Sequence, residues 1–207
     1  IAQVFAQAGF TVYLNDIKEE FVQRGLNNIT KQLERSVEKG RMSADEKDQV
    51  LANLLPSVSY EDAKQVQLVI EAATENREIK LNIFKQLDEL TDAKTILASN
   101  TSSLSITDIA AATKHQERVI GMHFFNPADR MKLVEVISGV NTPVEVKNTI
   151  IETAKSLGKT PVEVQEGPGF VVNRILIPMI NEAAFILQEG LASAEDIDNA
   201  KQLGANN

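Results

Sequence analysis

The chain has 207 residues, a net charge of −8, 43% hydrophobic residues and no cysteine. The acidic balance argues against nonspecific nucleic-acid binding, and the lack of cysteine excludes disulfides, zinc–thiolate sites and a cysteine nucleophile, which fits a reducing cytoplasm. No apolar run approaches the ~20 residues of a membrane span, whereas the hydrophobic fraction suffices for a substantial core.

Apolar residues recur at helical spacing over residues 1–10, so the chain opens inside a helix that Gly9 stops. Residues 11–16 then read as an alternating, β-branched strand ending on Asp16. Helix, glycine, strand and terminal acid make the second half of a dinucleotide-binding βαβ unit, in which the acid receives the adenosine ribose hydroxyls. The first strand and the glycine loop, which would hold the pyrophosphate, are expected to be missing. Asp16 would repel a 2′-phosphate, so NAD is expected rather than NADP.

A long amphipathic helix over 20–39 turns Phe21, Leu26, Ile29, Leu33 and Val37 to one side and ends at Gly40. Arg35 and Lys39, with Arg41 just beyond, form a small basic cluster that reads either as a solvated face or as a grip for phosphates. A helix over 44–55 stops at Pro56, and 57–60 suits a short strand. Residues 66–73 suit a buried parallel strand whose small Ala72 and Ala73 allow close approach of a ligand. Helix 77–90 follows, with Ile79, Ile83, Phe84 and Leu87 inward; strand 95–99 then runs into Asn100-Thr101-Ser102-Ser103 and a short helix at 107–112. Strand and helix alternate repeatedly, which gives an α/β fold with a doubly wound, mostly parallel Rossmann-type sheet. Two successive strand ends carry hydroxyl, amide and acid groups toward one crevice, and helix capping would account for one of residues 100–103, not four.

His115 lies in a polar segment and reads as a solvated loop residue. His123, the other histidine, ends the apolar run 119–122 and feeds a turn at 124–127. A histidine beside two phenylalanines suits a satisfied core side chain as well as a catalyst. Glu135 shifts that balance: it sits alone in the apolar run 133–137, where a carboxylate needs a cationic or hydrogen-bonding partner. If the two strands pair, His123 is that partner, and a carboxylate on one ring nitrogen fixes the tautomer that a general base for an alcohol proton requires.

Pro143 opens a helix that reaches residue 157, Gly158 caps it, and 160–165 forms a last strand. Glu166-Gly167-Pro168-Gly169 is the best hinge in the chain and divides a dinucleotide-binding domain, 1–166, from the start of an all-α domain, 167–207. The helix over 170–188 is apolar on most sides yet contains Asn173, Arg174, Asn181 and Glu182, so protein rather than membrane must bury it; a homodimer interface would do so. A capping signal at Ser193 opens one more helix, and this second domain is expected to be cut short.

Four segments together carry a resemblance: 99–103 (SNTSS), 123–127 (HFFNP), 131–136 (MKLVEV) and 168–174 (PGFVVNR). In this order they resemble the 3-hydroxyacyl-CoA dehydrogenase family, closest to its bacterial members that act on the four-carbon substrate. The likeness covers nearly the whole chain. It implies an NAD-dependent oxidoreductase that interconverts 3-hydroxybutyryl-CoA and acetoacetyl-CoA, with His123 as base and Glu135 orienting it. Ser102 and Asn173 match the groups that hold the 3-oxygen and the adjoining thioester. Asp16 matches the ribose acid; Ala72, Glu75, Lys80, Ser102 and Asn126 match positions around NAD. Arg35 and Lys39 fall where relatives place basic groups against the phosphates of coenzyme A. No metal is implied, and a cytoplasmic homodimer joined through the helical domain is. Asp129-Arg130 departs from the pattern, since relatives usually carry proline and a small apolar residue there. The alternatives are a longer-chain dehydrogenase module of a fatty-acid oxidation protein and a non-catalytic relative that keeps the fold.

Overall fold

The computed structural model describes residues 1–205, whose strands fall into two sheets. β1 (Val12–Asn15) and β2 (Leu54–Ser57) pair in parallel. β3 (Leu68–Glu71), β4 (Ile96–Ser99), β5 (Val119–Phe124), β6 (Leu133–Ser138) and β7 (Thr160–Gln165) form the second sheet in that order. Every pairing in it is parallel except β5 with β6, which is antiparallel. The mostly parallel α/β architecture is therefore present, divided into a two-stranded and a five-stranded part.

Helices cover both faces of the larger sheet, as strict alternation along the strands demands. Ile96 and Ala98 of β4, Ile120, Met122 and Phe124 of β5, and Val134 and Val136 of β6 pack with Phe5 of α1 (Ala2–Gln7) and with Ile150, Ile151 and Ala154 of α6 (Val144–Ser156). The intervening residues Leu97, Val119 and Ile137 face the other way, onto α4 (Arg77–Leu90) and α5 (Ile106–Ala111). His123 shares the parity of Val119, and Glu135 that of Ile137, so both point to the α4/α5 side. Gly121 lies between Val119 and His123 on the same face of β5, and a β-carbon there would stand 2.8 Å from Cβ of Ile137 and 3.0 Å from Cδ1 of Ile106. Glycine is what lets α5 lie this close to β5 and β6.

The region between β1 and β3 differs from the sequence expectation. α2 (Glu19–Glu38) is followed by α3 (Ala44–Ala52), whose start is fixed by a capping box: Ser43 Oγ accepts from the Glu46 amide at 3.1 Å, and Glu46 Oε2 accepts from the Ser43 amide at 2.7 Å. That helix ends before 55, and the strand is 54–57 rather than 57–60; residues Tyr60–Gln65 form a 3₁₀ turn. Local composition makes Pro56 a helix stop, yet it sits inside β2. The Val12 amide donates to the Asn53 carbonyl and the Asp16 amide to the Ser57 carbonyl, so odd-numbered residues of β2 face β1 and the nitrogen of Pro56 faces its open edge, where no donor is needed.

In α4 the inward face also differs: Ile79 is 51% exposed while Lys80 is 1% exposed. Beyond β7 the backbone turns through Gly169 (φ +74°) and Phe170 (φ +51°) into α7 (Val172–Gln188) and α8 (Ala194–Gly204). A β-carbon on Gly169 would meet the Arg174 amide nitrogen at 3.0 Å. α7 buries none of its residues, and Ile175, Ile177, Ile180, Phe185 and Leu187 are exposed.

Candidate active site

The antiparallel seam sets His123 directly opposite Glu135. Nδ1 of His123 lies 2.8 Å from Oε2 of Glu135, and both side chains are buried. The second carboxylate oxygen, Oε1, accepts the backbone amides of Val171 and Val172, each at 3.0 Å, at the first turn of α7. A lone carboxylate in an apolar strand is thus satisfied on both oxygens, and the positive end of a helix faces its charge. With Nδ1 against a carboxylate, that nitrogen carries the proton and Nε2 is left as acceptor. The rings of Phe125 and Phe170 flank the imidazole, with centroids at 4.6 and 5.8 Å, and limit its rotation.

Ser102 stands on the loop that leaves β4. The Asn100 amide donates to the Glu71 carbonyl at 2.8 Å, and Asn100 Oδ1 accepts the Phe124 amide at 2.8 Å, which ties the ends of β3, β4 and β5 together. Glu75 accepts from Thr101 Oγ1 at 2.6 Å and from the Ser102 amide at 2.7 Å. Thr101 Oγ1 in turn accepts the Leu104 amide at 3.0 Å. Asn100 and Thr101 therefore shape the loop, and Ser102 is the residue it presents. Asn173, in the first turn of α7, places Nδ2 3.4 Å from the Ser102 carbonyl oxygen. Ser102, His123, Glu135 and Asn173 are thus gathered around the start of α7.

The remaining expected positions lie along strand ends or apart. Asp16 follows β1, is exposed, and turns Oδ1 onto the Ile17 amide at 2.7 Å. Ala72 and Ala73 lie just past the end of β3 and are exposed, as is Asn126 after β5. The Tyr60 phenol is pushed above its usual pKa by burial and by the charges of Glu71 and Asp16, so the ends of β1 and β3 share one electrostatic neighbourhood. An exposed acid at the end of β1 and small residues at the end of β3 fit a dinucleotide laid across them. Lys80 does not open onto that surface: its ammonium is bonded to the Glu71 carboxylate. Arg35 and Lys39 are exposed at the end of α2, without an ion-pair partner among the described residues and without a hydrogen bond to the His123 cluster.

His115 is not a plain solvated residue, because its Nδ1 lies 3.1 Å from Oδ1 of the buried Asp88. Asp129-Arg130 sits on the loop after the turn at 124–127; the Arg130 side chain is 82% exposed and that of Asp129 28%, with Arg130 Nε 4.0 Å from Asp129 Oδ2. Lys159 fixes that loop by donating to the carbonyls of Ala128 (2.6 Å) and Met131 (2.8 Å). The structural parts of Asn100, Glu71 and Glu75 were not read from the sequence; an acid two residues before a loop amide is a common pattern and carries no sign of its partner.

Residues 1–167 match the NAD binding domain of the 3-hydroxyacyl-CoA dehydrogenases, and residues 169–207 match their C-terminal domain. A 3-hydroxybutyryl-CoA dehydrogenase of Clostridioides difficile is 50% identical over 206 residues, covering all of this chain and 73% of its own. A probable 3-hydroxybutyryl-CoA dehydrogenase of Bacillus subtilis is 48% identical, with 72% of its length covered. The crystal structure of (S)-3-hydroxybutyryl-CoA dehydrogenase from Ralstonia eutropha superposes with a TM-score of 0.98 at 47% identity, over all of this chain and 73% of that one. With both segments matched in order and relatives near half identical along its whole length, the chain belongs to the 3-hydroxyacyl-CoA dehydrogenase family.

Proposed function

We propose that the protein interconverts 3-hydroxybutyryl-CoA and acetoacetyl-CoA with NAD. The buried His123–Glu135 pair carries this reading: its carboxylate is satisfied on both oxygens, and one ring nitrogen is held while the other is free to move a proton. Oxidation of a secondary alcohol needs a base for the hydroxyl proton and an acceptor for the hydride. NAD, when bound, supplies the hydride acceptor. His123 Nε2 takes the 3-hydroxyl proton, and returns it to the 3-oxygen in the reverse direction. Glu135 stabilises the imidazolium so formed. Ser102 and Asn173 hold and polarise the 3-oxygen and the thioester, and loss of one such donor typically costs ~3 kcal/mol of transition-state stabilisation.

Asp16 would receive the adenosine ribose, with Ala72, Glu75, Ser102 and Asn126 lining the crevice and Lys80 supporting it through Glu71. Exposed, and without an ion-pair partner among the described residues, Arg35 and Lys39 suit the phosphates of coenzyme A. The chain divides at 166/167, where Gly167-Pro168-Gly169 begins the turn into α7. The exposed apolar side chains of α7 favour a homodimer joined through this helix. No helix among the described residues is long and apolar enough to cross a membrane, and a cytoplasmic location agrees with the cysteine-free sequence.

The test is NADH oxidation with acetoacetyl-CoA and with a longer 3-ketoacyl-CoA. The four-carbon substrate should be preferred, and His123→Ala should lower kcat by about 10²–10⁴-fold with NADH binding retained. Turnover by His123→Ala at the wild-type rate would refute the assignment, and preference for the longer substrate would point to the longer-chain reading.

A further inference from the structure

Glu166, the last residue before Gly167, gathers three donors on one carboxylate. Ser105 Oγ donates to Oε1, Thr107 Oγ1 donates to Oε2, and the Thr107 amide donates to Oε2 at 3.0 Å. Thr107 Oγ1 also accepts the Val140 amide at 2.9 Å, and the Glu166 amide donates to the Ser138 carbonyl at 3.2 Å. One side chain thus joins the start of α5, the turn after β6 and the chain entering the hinge. Capping of α5 explains only the Thr107 amide, one of the free N–H groups of its first turn; the two hydroxyl contacts go beyond it, since Ser105 Oγ already accepts the Asp108 amide at 3.0 Å. No cation forms an ion pair with Glu166 among the described residues, so these hydrogen bonds alone hold its charge in place.

What the clamp connects is the candidate site. The loop presenting Ser102 is anchored at Thr101 and at the Ser102 amide by Glu75 and, three to five residues beyond, by Glu166 through Ser105 and Thr107. On the other side of the clamp, the hinge delivers Phe170 against His123, the Val171 and Val172 amides to Glu135, and Asn173 toward Ser102. Without Glu166, the direct hydrogen bonding between the Ser102 loop and the hinge would rest on the Asn173 contact, at 3.4 Å near the limit of a hydrogen bond.

We propose that Glu166 is a positioning residue for the reaction: by clamping Ser105 and Thr107 to the entry of the hinge, it sets where Ser102 and Asn173 stand relative to His123. This rests on the dehydrogenase reading above. A displacement of ~1 Å among reacting groups can cost ~10²-fold in rate, so releasing the clamp acts on turnover more than on cofactor binding.

The test compares Glu166→Ala with Glu166→Gln in the whole protein, using kcat and KM for acetoacetyl-CoA reduction, NADH titration and amide hydrogen exchange. In Glu166→Ala, kcat should fall about 10-fold or more per NADH-binding site while the KM for NADH stays within about twofold. Exchange should quicken at residues 102–105 and 171–173 and stay unchanged in β1 and β2. Glu166→Gln should behave as wild type, because its amide oxygen accepts from Thr107 and its NH₂ donates to Ser105 Oγ. Unchanged kcat in Glu166→Ala, equal impairment in Glu166→Gln, or a uniform rise in exchange would each overturn the proposal. Should the wild type fail to reduce acetoacetyl-CoA, the dehydrogenase reading fails, and the exchange pattern decides the clamp by itself.

Discussion

Lys80 and Glu71 bury opposite charges at 1% and 5% exposure, and Glu71 also accepts from the Ala73 amide at 2.8 Å and from Ser99 Oγ at 3.2 Å. Removing one member of such a pair leaves the other charged and unpaired, which typically costs ~3–5 kcal/mol, whereas replacing both is far milder. Lys80→Met should therefore destabilise the protein by about 3–5 kcal/mol in urea unfolding, and Lys80→Met with Glu71→Gln by clearly less than the sum of the two single changes. Strict additivity would show that the two charges do not depend on each other. This pair also marks a limit of sequence reading at the scale of one residue. Hydrophobicity favoured Ile79 over Lys80 as the inward position, since lysine is rarely buried without a partner, and the partner lies on another element. His123 and Glu135 were readable for the opposite reason: each was an isolated polar group in a strand, and alternation put both on one face. The other half of Glu135's environment was not readable, because the amides of Val171 and Val172 are backbone groups with no signature in the sequence.

Between elements, the tightest dependence on one residue is the approach of α5 to β5 and β6 over Gly121. A methyl group there would overlap Ile137 Cβ, which belongs to the neighbouring strand and has no freedom to swing away. Overpacking of this kind typically costs ~1–3 kcal/mol. Gly121→Ala should lower the unfolding free energy by about that amount, and it should lower turnover as well, because α5 directly follows the Ser102 loop. Unaltered stability would mean that β6 and α5 can both move away from β5 at no cost. Alternation of strand and helix was legible through this half of the chain because apolar runs and glycine ends were long and regular. It failed around Pro56, where the decisive fact was which edge of β2 meets β1, a property of pairing rather than of local composition. The apolar residues of α7 were legible as a helix, but periodicity does not encode what, if anything, covers those that stand exposed.

For the molecule as a whole, one contribution to acid sensitivity comes from the polar cluster that joins the C-terminal end of α4 to the chain entering β5. Arg118, 3% exposed, donates from Nη2 to Asp88 Oδ1 at 2.7 Å and from Nη1 to Thr91 Oγ1 at 2.9 Å, while Asp88 also accepts the Lys114 amide at 2.7 Å. Burial alone would push the Asp88 carboxyl up, but the hydrogen bonds from Arg118, the Lys114 amide and His115, with the Arg118 charge, bring it below the usual value. A carboxyl whose folded pKa lies below its unfolded one stabilises the fold fully above the unfolded value, ~4, and loses that contribution as pH falls through the folded value. Asp88→Asn removes this dependence and leaves the Arg118 guanidinium buried without its counter-charge, a loss of about 3–5 kcal/mol at neutral pH. The gap in unfolding temperature between wild type and Asp88→Asn should accordingly be wide at pH 6 and close progressively once the pH drops below about 4. Thermal unfolding followed from pH 6 to pH 3 checks this. A gap that stays constant across the range would mean that Asp88 binds its proton equally in the folded and unfolded chains, and that the cluster at the end of α4 is not what makes the fold sensitive to acid.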